Sequence, residues 1–145
     1  MTLRKAVAYA ALAAGLLAAG TVSAQDPIAA RKDGFKAAKE AMGMIKKTLD
    51  DGGDLAVVKT SADKLADVAT KAGGLFPAGS DKGDTKAKPA IWSNMDDFKA
   101  KNAAFAAESA KLSQIAAAGD AAATKKQFGA VAGTCKACHD SYRSE

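Results

Sequence analysis

Four stretches of this sequence repeat apolar residues at alternating steps of three and four, the spacing that lines side chains along one face of a helix. In the first, Ile28, Phe35, Ala38, Met42, Ile45 and Leu49 form the stripe, with Arg31 occupying one slot. Asp26 can cap its start. Pro27 suits the first turn, where the N–H it lacks would have no helical partner anyway. Gly52-Gly53 stops that segment, and Asp54 can cap the next, which runs through Leu55, Val58, Ala62, Leu65, Ala69 and Ala72 to Gly73-Gly74. Pro89 opens a third stripe: Ile91, Met95, Phe98, Asn102, Phe105, Ser109, Leu112 and Ala116. Gly119 and Asp120 supply a stop and a cap, after which Phe128, Val131, Cys135, Cys138 and Tyr142 share one side. Residues 73–88, rich in Gly, Pro, Asp and Ser, read as a long surface connection. Two short connections and one long one, between helices of about 20 residues, predict an all-α fold: an antiparallel four-helix bundle.

The N-terminus adds a destination. Arg4 and Lys5 precede an apolar run from Ala6 to Gly20, and Val22-Ser23-Ala24 is a small-residue cleavage site. Residues 1–24 therefore read as a cleaved signal peptide, too short and alanine-rich for a stable anchor. The expected mature chain, 25–145, is one exported domain with no membrane insertion, which in a Gram-negative cell means the periplasm. Cleavage removes two bases and no acid, lowering the formal net charge from +5 to +3. The lysines alternate with acids on helix surfaces, which reads as a solvated face and argues against a nucleic-acid partner. Aromatic residues are 6 % of the chain, so stripes built largely of alanine make a modest core that a buried macrocycle would enlarge.

The last stripe carries the chemistry. Cys135-Lys136-Ala137-Cys138-His139 uses both cysteines and the single histidine of the chain. C-x-x-C-H is the attachment signature of c-type haem. At positions i, i+3 and i+4 of a helix, two thiols can form thioethers to the porphyrin vinyl groups while the imidazole reaches the iron. A thioredoxin-like redox site needs a βαβ framework, and no convincing strand pattern is present. Structural zinc takes four protein ligands and iron–sulfur clusters about four thiolates; neither set is complete. A haem-free, disulfide-stapled helical binding protein remains open. No second histidine is left to act as a distal acid or base, so the chain reads as an electron carrier or gas-binding protein and not an enzyme.

An export signal, four helices and one C-x-x-C-H on the last of them resemble the class II c-type cytochromes, the cytochrome c′ family. The resemblance covers residues 25–145 and is strongest over C-K-A-C-H-D-S-Y-R at 135–143. Pro89-Ala90-Ile91-Trp92 and the L-F-P-x-G-S turn at Leu75 to Ser80 support it. It implies one covalent haem c on Cys135 and Cys138, with His139 as the axial iron ligand. Arg143, a turn beyond, matches the family's basic residue in the proximal pocket. Arg31 matches an arginine expected to meet a haem propionate, since a guanidinium in an apolar stripe needs a partner unless it snorkels to water. Lys32 and Lys88 are further candidates for the haem edge, and Phe76 and Trp92 for packing beside it.

The resemblance also locates the distal side. The family's distal position lies four residues after that arginine and eight before a small glycine, which here selects Phe35, with Gly43 following. Low-spin members ligate iron with methionine at this position, whereas high-spin members carry an apolar residue. Phenylalanine has no donor atom, so the resemblance implies five-coordinate high-spin iron that binds NO and CO and takes part in electron transfer. An apolar pocket would stabilise O₂ poorly, because O₂ wants a hydrogen-bond donor. The alternative is a six-coordinate electron-transfer cytochrome using Met42 or Met44, although Met42 on the stripe also reads as core filler. Many relatives pair through their first two helices as homodimers, but the sequence specifies neither the oligomeric state of this chain nor its redox partner protein.

Overall fold

The computed structural model of the protein describes residues 26–145, so the expected signal peptide and its cleavage point lie outside the described residues. Five helices follow in order: α1 Pro27–Asp50, α2 Leu55–Ala72, α3 Ala90–Ser93, α4 Met95–Ala117 and α5 Ala121–Tyr142. Three of the starts use the expected aspartates. Asp26 accepts from the Ile28 N–H at 3.0 Å, Asp54 from Ala56 at 2.8 Å and Asp120 from Ala123 at 2.9 Å. Each such cap contributes about 1 kcal/mol. Gly52 and Gly119, just past the ends of α1 and α4, adopt φ of 64° and 81°, the left-handed turn that a side chain disfavours.

The third predicted helix is two. Asn94, at φ −134° and ψ 46°, leaves the helical region, and its Nδ2 donates to the Ala90 carbonyl at 3.1 Å. The amide side chain thus closes α3 locally, in competition with the continuing backbone ladder. The stripe keeps its phase across the break: Ile91, Phe98, Phe105, Ser109, Leu112 and Ala116 are all buried.

α2 lies at the centre of the packing. α1 and α4 both pack along it and α5 packs along α4, while α1 and α5 barely touch. The four long helices therefore form a bundle whose α1–α5 side is loosely closed. Ile45, Val58, Leu65, Leu112 and Val131 are fully buried in the main core, each contributing about 1.5–3 kcal/mol by leaving water. Polar ties fix the helix register: Asn102 Nδ2 donates to the Ala69 carbonyl at 2.8 Å, and Gln127 Nε2 to the Glu108 carbonyl at 3.1 Å.

A second cluster, Phe76, Ile91, Phe98 and Tyr142, fills the end of the bundle near the 73–89 connection. Phe76 meets Phe98 edge-on at 4.6 Å between ring centroids, and Phe98 meets Tyr142 at 5.5 Å. The connection is therefore not a purely surface loop, because it drives Phe76 and Ser80 inward. No helix among the described residues is long and apolar enough to cross a membrane.

Candidate functional site

Cys135 and Cys138 stand one turn apart on α5, both half-buried and unpaired. Cys135 packs against the main core and Cys138 against the aromatic end cluster, so the motif straddles the junction between them. Burial pushes both thiols above their ordinary range, with a smaller push on Cys138 from Cys135. They are accordingly protonated at neutral pH and sluggish as nucleophiles. His139 is exposed. Partial desolvation, then the charge of Arg143, lowers its pKa, so the ring is neutral at pH 7 and keeps a lone pair for a metal.

Arg143 sits where α5 ends, not on a further helical turn. Its backbone is extended, its N–H still donates to the His139 carbonyl at 3.0 Å, and it bridges to Ala87. Beside it, Lys88 Nζ donates to the Asp140 carbonyl at 3.2 Å, which brings Lys88 against the residue following His139. Tyr142 donates its phenol to Asp97 of α4. That bond and burial raise the phenol to about 12, and the same bond depresses the Asp97 carboxyl.

Arg31 is the most heavily bonded candidate. It is 3 % exposed, so it does not snorkel. Its guanidinium donates to the Leu75 carbonyl at 3.3 Å, the Ser80 hydroxyl at 3.0 Å, the Ser80 carbonyl at 2.6 Å and the Thr85 hydroxyl at 2.8 Å. The group also lies over the rings of Phe76, at 4.8 Å, and Trp92, at 5.8 Å. Protein oxygens and π-faces thus supply the partners that burial of a guanidinium demands. Lys32 reaches into the same loop, bonding Asp84 Oδ2 at 2.5 Å across an exposed pair.

Phe35, a stripe position, is 38 % exposed, unlike its neighbours Ala38 and Ile45. Gly34 is turned to α2, where an added Cβ would meet Val68 at 3.8 Å. Phe35, the next residue, lies on the same side of α1 near Val68 and on the stripe shared with half-buried Met42. Among the described residues, α5 lies little against α1, so Phe35 is only partly covered. Met44 is 50 % exposed. A cavity of about 480 Å³ opens between α1 and α2, lined by Arg31, Gly34, Phe35, Val68 and Leu75 among others, and no residue of α5 lines it.

These residues fit a covalently held haem. Two free thiols one turn apart adjoin a neutral imidazole, on a helix whose side toward α1 is loosely packed. No cluster of three or more metal-binding side chains occurs among the described residues, so no competing protein-only metal site is present there. The Arg31 network and the Tyr142–Asp97 bond are the features that sequence reasoning missed. Only Ser80 and Thr85, hydroxyls within a glycine-rich stretch opposite a lone stripe arginine, signalled the first.

Comparison with known proteins places nearly the whole described chain in one family. The family model described as cytochrome c′ matches residues 26–143. A cytochrome c′ of Allochromatium vinosum is 34 % identical, over 94 % of this chain and 97 % of its own. A solved cytochrome c′ with an unusual ligand-controlled dimer dissociation superposes with a TM-score of 0.78 at 35 % identity, covering 82 % of this chain and 95 % of that one. A nitric oxide complex of a mutant cytochrome c prime from Alcaligenes xylosoxidans gives 0.74 at 30 % identity, covering 82 % and 94 %.

Proposed function

The chain belongs to the cytochrome c′ family, and on that premise we propose that it is a periplasmic haem protein that binds NO and CO at a five-coordinate iron and passes electrons. It carries one covalent haem c and is a gas-binding or carrier protein, not an enzyme. When bound, the haem supplies a redox-active iron with a free coordination position. Cys135 and Cys138 would hold it through thioethers, and His139, whose pKa is lowered by desolvation and then by Arg143, would offer its lone pair to the iron. Arg143 and Lys88 flank that end of α5 and set its local charge.

The observation that carries the five-coordinate reading is the side chain at the distal position of α1. Phe35 offers no nitrogen, oxygen or sulfur, and its ring is partly exposed beside the cavity between α1 and α2. An apolar ring there excludes water and gives no hydrogen bond to a bound ligand, which favours NO and CO over O₂. It must also swing aside for a ligand to enter, which slows association. A six-coordinate carrier using Met42 is the competing reading. It is disfavoured because Met42 packs against the main core, and drawing it out would cost buried contacts.

The nitric oxide complex of the Alcaligenes relative supports NO as a ligand, and the dimer of the other neighbour supports pairing of two copies. Met44 on α1 and Val57 on α2, 50 % and 40 % exposed, offer apolar surface for such a contact. The test is the visible spectrum of the exported protein, reduced and exposed to CO. A marked CO-dependent change is expected; a haem-stained but CO-insensitive protein would leave electron transfer alone.

A further inference from the structure

We propose that Arg31 is a positioning residue for the far end of the chain: through the 75–88 connection it fixes the end of α5 and so the setting of His139. The proposal rests on the reading of His139 as the axial ligand. Because α1 and α5 barely touch, packing between them cannot hold the two in register. A continuous polar path runs between them beside the ring contacts of Phe76, Phe98 and Tyr142. Arg31 on α1 takes hold of the connection at Leu75, Ser80 and Thr85 through its four hydrogen bonds. Thr85 Oγ1 also accepts from the Ala87 N–H at 3.1 Å, which carries the constraint onward.

From there the connection is laced to the chain end. The Lys88 N–H donates to the Tyr142 carbonyl at 2.9 Å, the Ser144 N–H to the Lys86 carbonyl at 2.9 Å, and Ala87 pairs with Arg143 as an antiparallel bridge. Lys88 Nζ adds its bond to the Asp140 carbonyl, the residue next to His139. The last turn of α5 is thereby held on its open side by backbone bonds that end at a guanidinium on α1. Phe35 lies one turn beyond Arg31 on α1. Phe35, read as the distal residue, and His139, read as the iron ligand, are thus tied to one clamp, so a change on one side is felt on the other.

Two variants of the haem-loaded protein separate this role from a direct effect of Arg31 on the haem. Arg31→Lys keeps the charge but cannot make four bonds in the fixed fork of a guanidinium. Ser144→Pro removes one lacing N–H at an exposed position far along the chain from Arg31. For Arg31→Lys we expect the Lys88 and Ser144 amides to exchange with solvent deuterium about tenfold faster. For both variants we expect the iron–histidine stretching band in the resonance Raman spectrum of the reduced protein to shift in the same direction.

Wild-type exchange at Lys88 and Ser144 in Arg31→Lys would overturn the proposal. So would a band that moves in Arg31→Lys and stays put in Ser144→Pro, since Arg31 would then act on the haem directly. If Arg31→Lys fails to fold, Thr85→Val, which removes one acceptor of the guanidinium, takes its place in both measurements. Absence of any iron–histidine band in the wild type would sink the axial-ligand reading instead, and the exchange rates would still report on the clamp.

Discussion

Ile45 is the one large side chain of α1 that is fully buried; the rest of that helix's buried face is Arg31, Ala38, Ala41 and Thr48. Because α1 packs on α2 and scarcely on α5, Ile45 should dominate the seating of the helix that carries Phe35. Ile45→Ala removes three carbons, about 2.4 kcal/mol at ~0.8 kcal/mol per buried carbon. The residual cavity brings the cost to about 3–4 kcal/mol, the middle of the range for such truncations. For a domain of this size that lowers the thermal midpoint by roughly 12 °C, read by far-ultraviolet circular dichroism on the haem-loaded protein. Met44→Ala, exposed on the same helix, should cost under about 0.5 kcal/mol. The loosened α1 should also admit CO to the reduced protein faster than in the wild type. A loss below about 1 kcal/mol for Ile45→Ala, or one matched by Met44→Ala, would refute the claim that α1 is held chiefly through its Ile45 contact with α2.

Further outcomes follow from the distal position and the end cluster. Phe35→Met places a thioether where the ring stands and should convert the visible spectrum of the ferric protein toward a six-coordinate, low-spin form; an unchanged spectrum would show that another residue of α1 faces the iron. Of the chain's two tyrosines, Tyr9 and Tyr142, only Tyr142 follows the expected cleavage point, so in the cleaved protein its phenolate can be followed without overlap. With its pKa raised above the unfolded value near 10, its contribution to stability is full below that pH and is lost as pH climbs toward about 12. Ultraviolet titration should show a midpoint near 12 that falls toward 10 in Asp97→Asn. The Asp63 carboxyl behaves oppositely. It is depressed by Lys59 and then by the Ser113 hydroxyl that it ties across from α2 to α4, so its contribution is present above the usual carboxylate range and fades as pH falls through the lowered value. Ser113→Ala should therefore flatten the acid limb of the stability curve, measured by urea unfolding at pH 3 to 6.

Much of this architecture was legible because helices that pack on one side leave a period in the sequence. The aspartate caps and the glycine stops worked through purely local chemistry, and the structure has them where the residues require. The break at Asn94 was hidden, since it interrupts the backbone without shifting the phase of Ile91 and Phe98. Residues 73–88 look like surface connection by composition, yet Phe76 and Ser80 turn inward, because Arg31 on a distant helix needs oxygens and rings around it. That is a long-range demand, and a one-dimensional pattern records only the misplaced charge that creates it. The thiols and the imidazole were plain from their spacing. What spacing could not show is how little of α1 covers α5, and hence why a phenylalanine in an apolar stripe stands partly exposed.

The central question is which side chain lies across the iron from His139. Electron paramagnetic resonance of the purified ferric protein, recorded near neutral pH without added ligand, reads this directly. A high-spin signal is predicted, from iron bound by one imidazole beneath an aromatic ring that offers nothing in return. A low-spin signal of histidine–methionine type would contradict it.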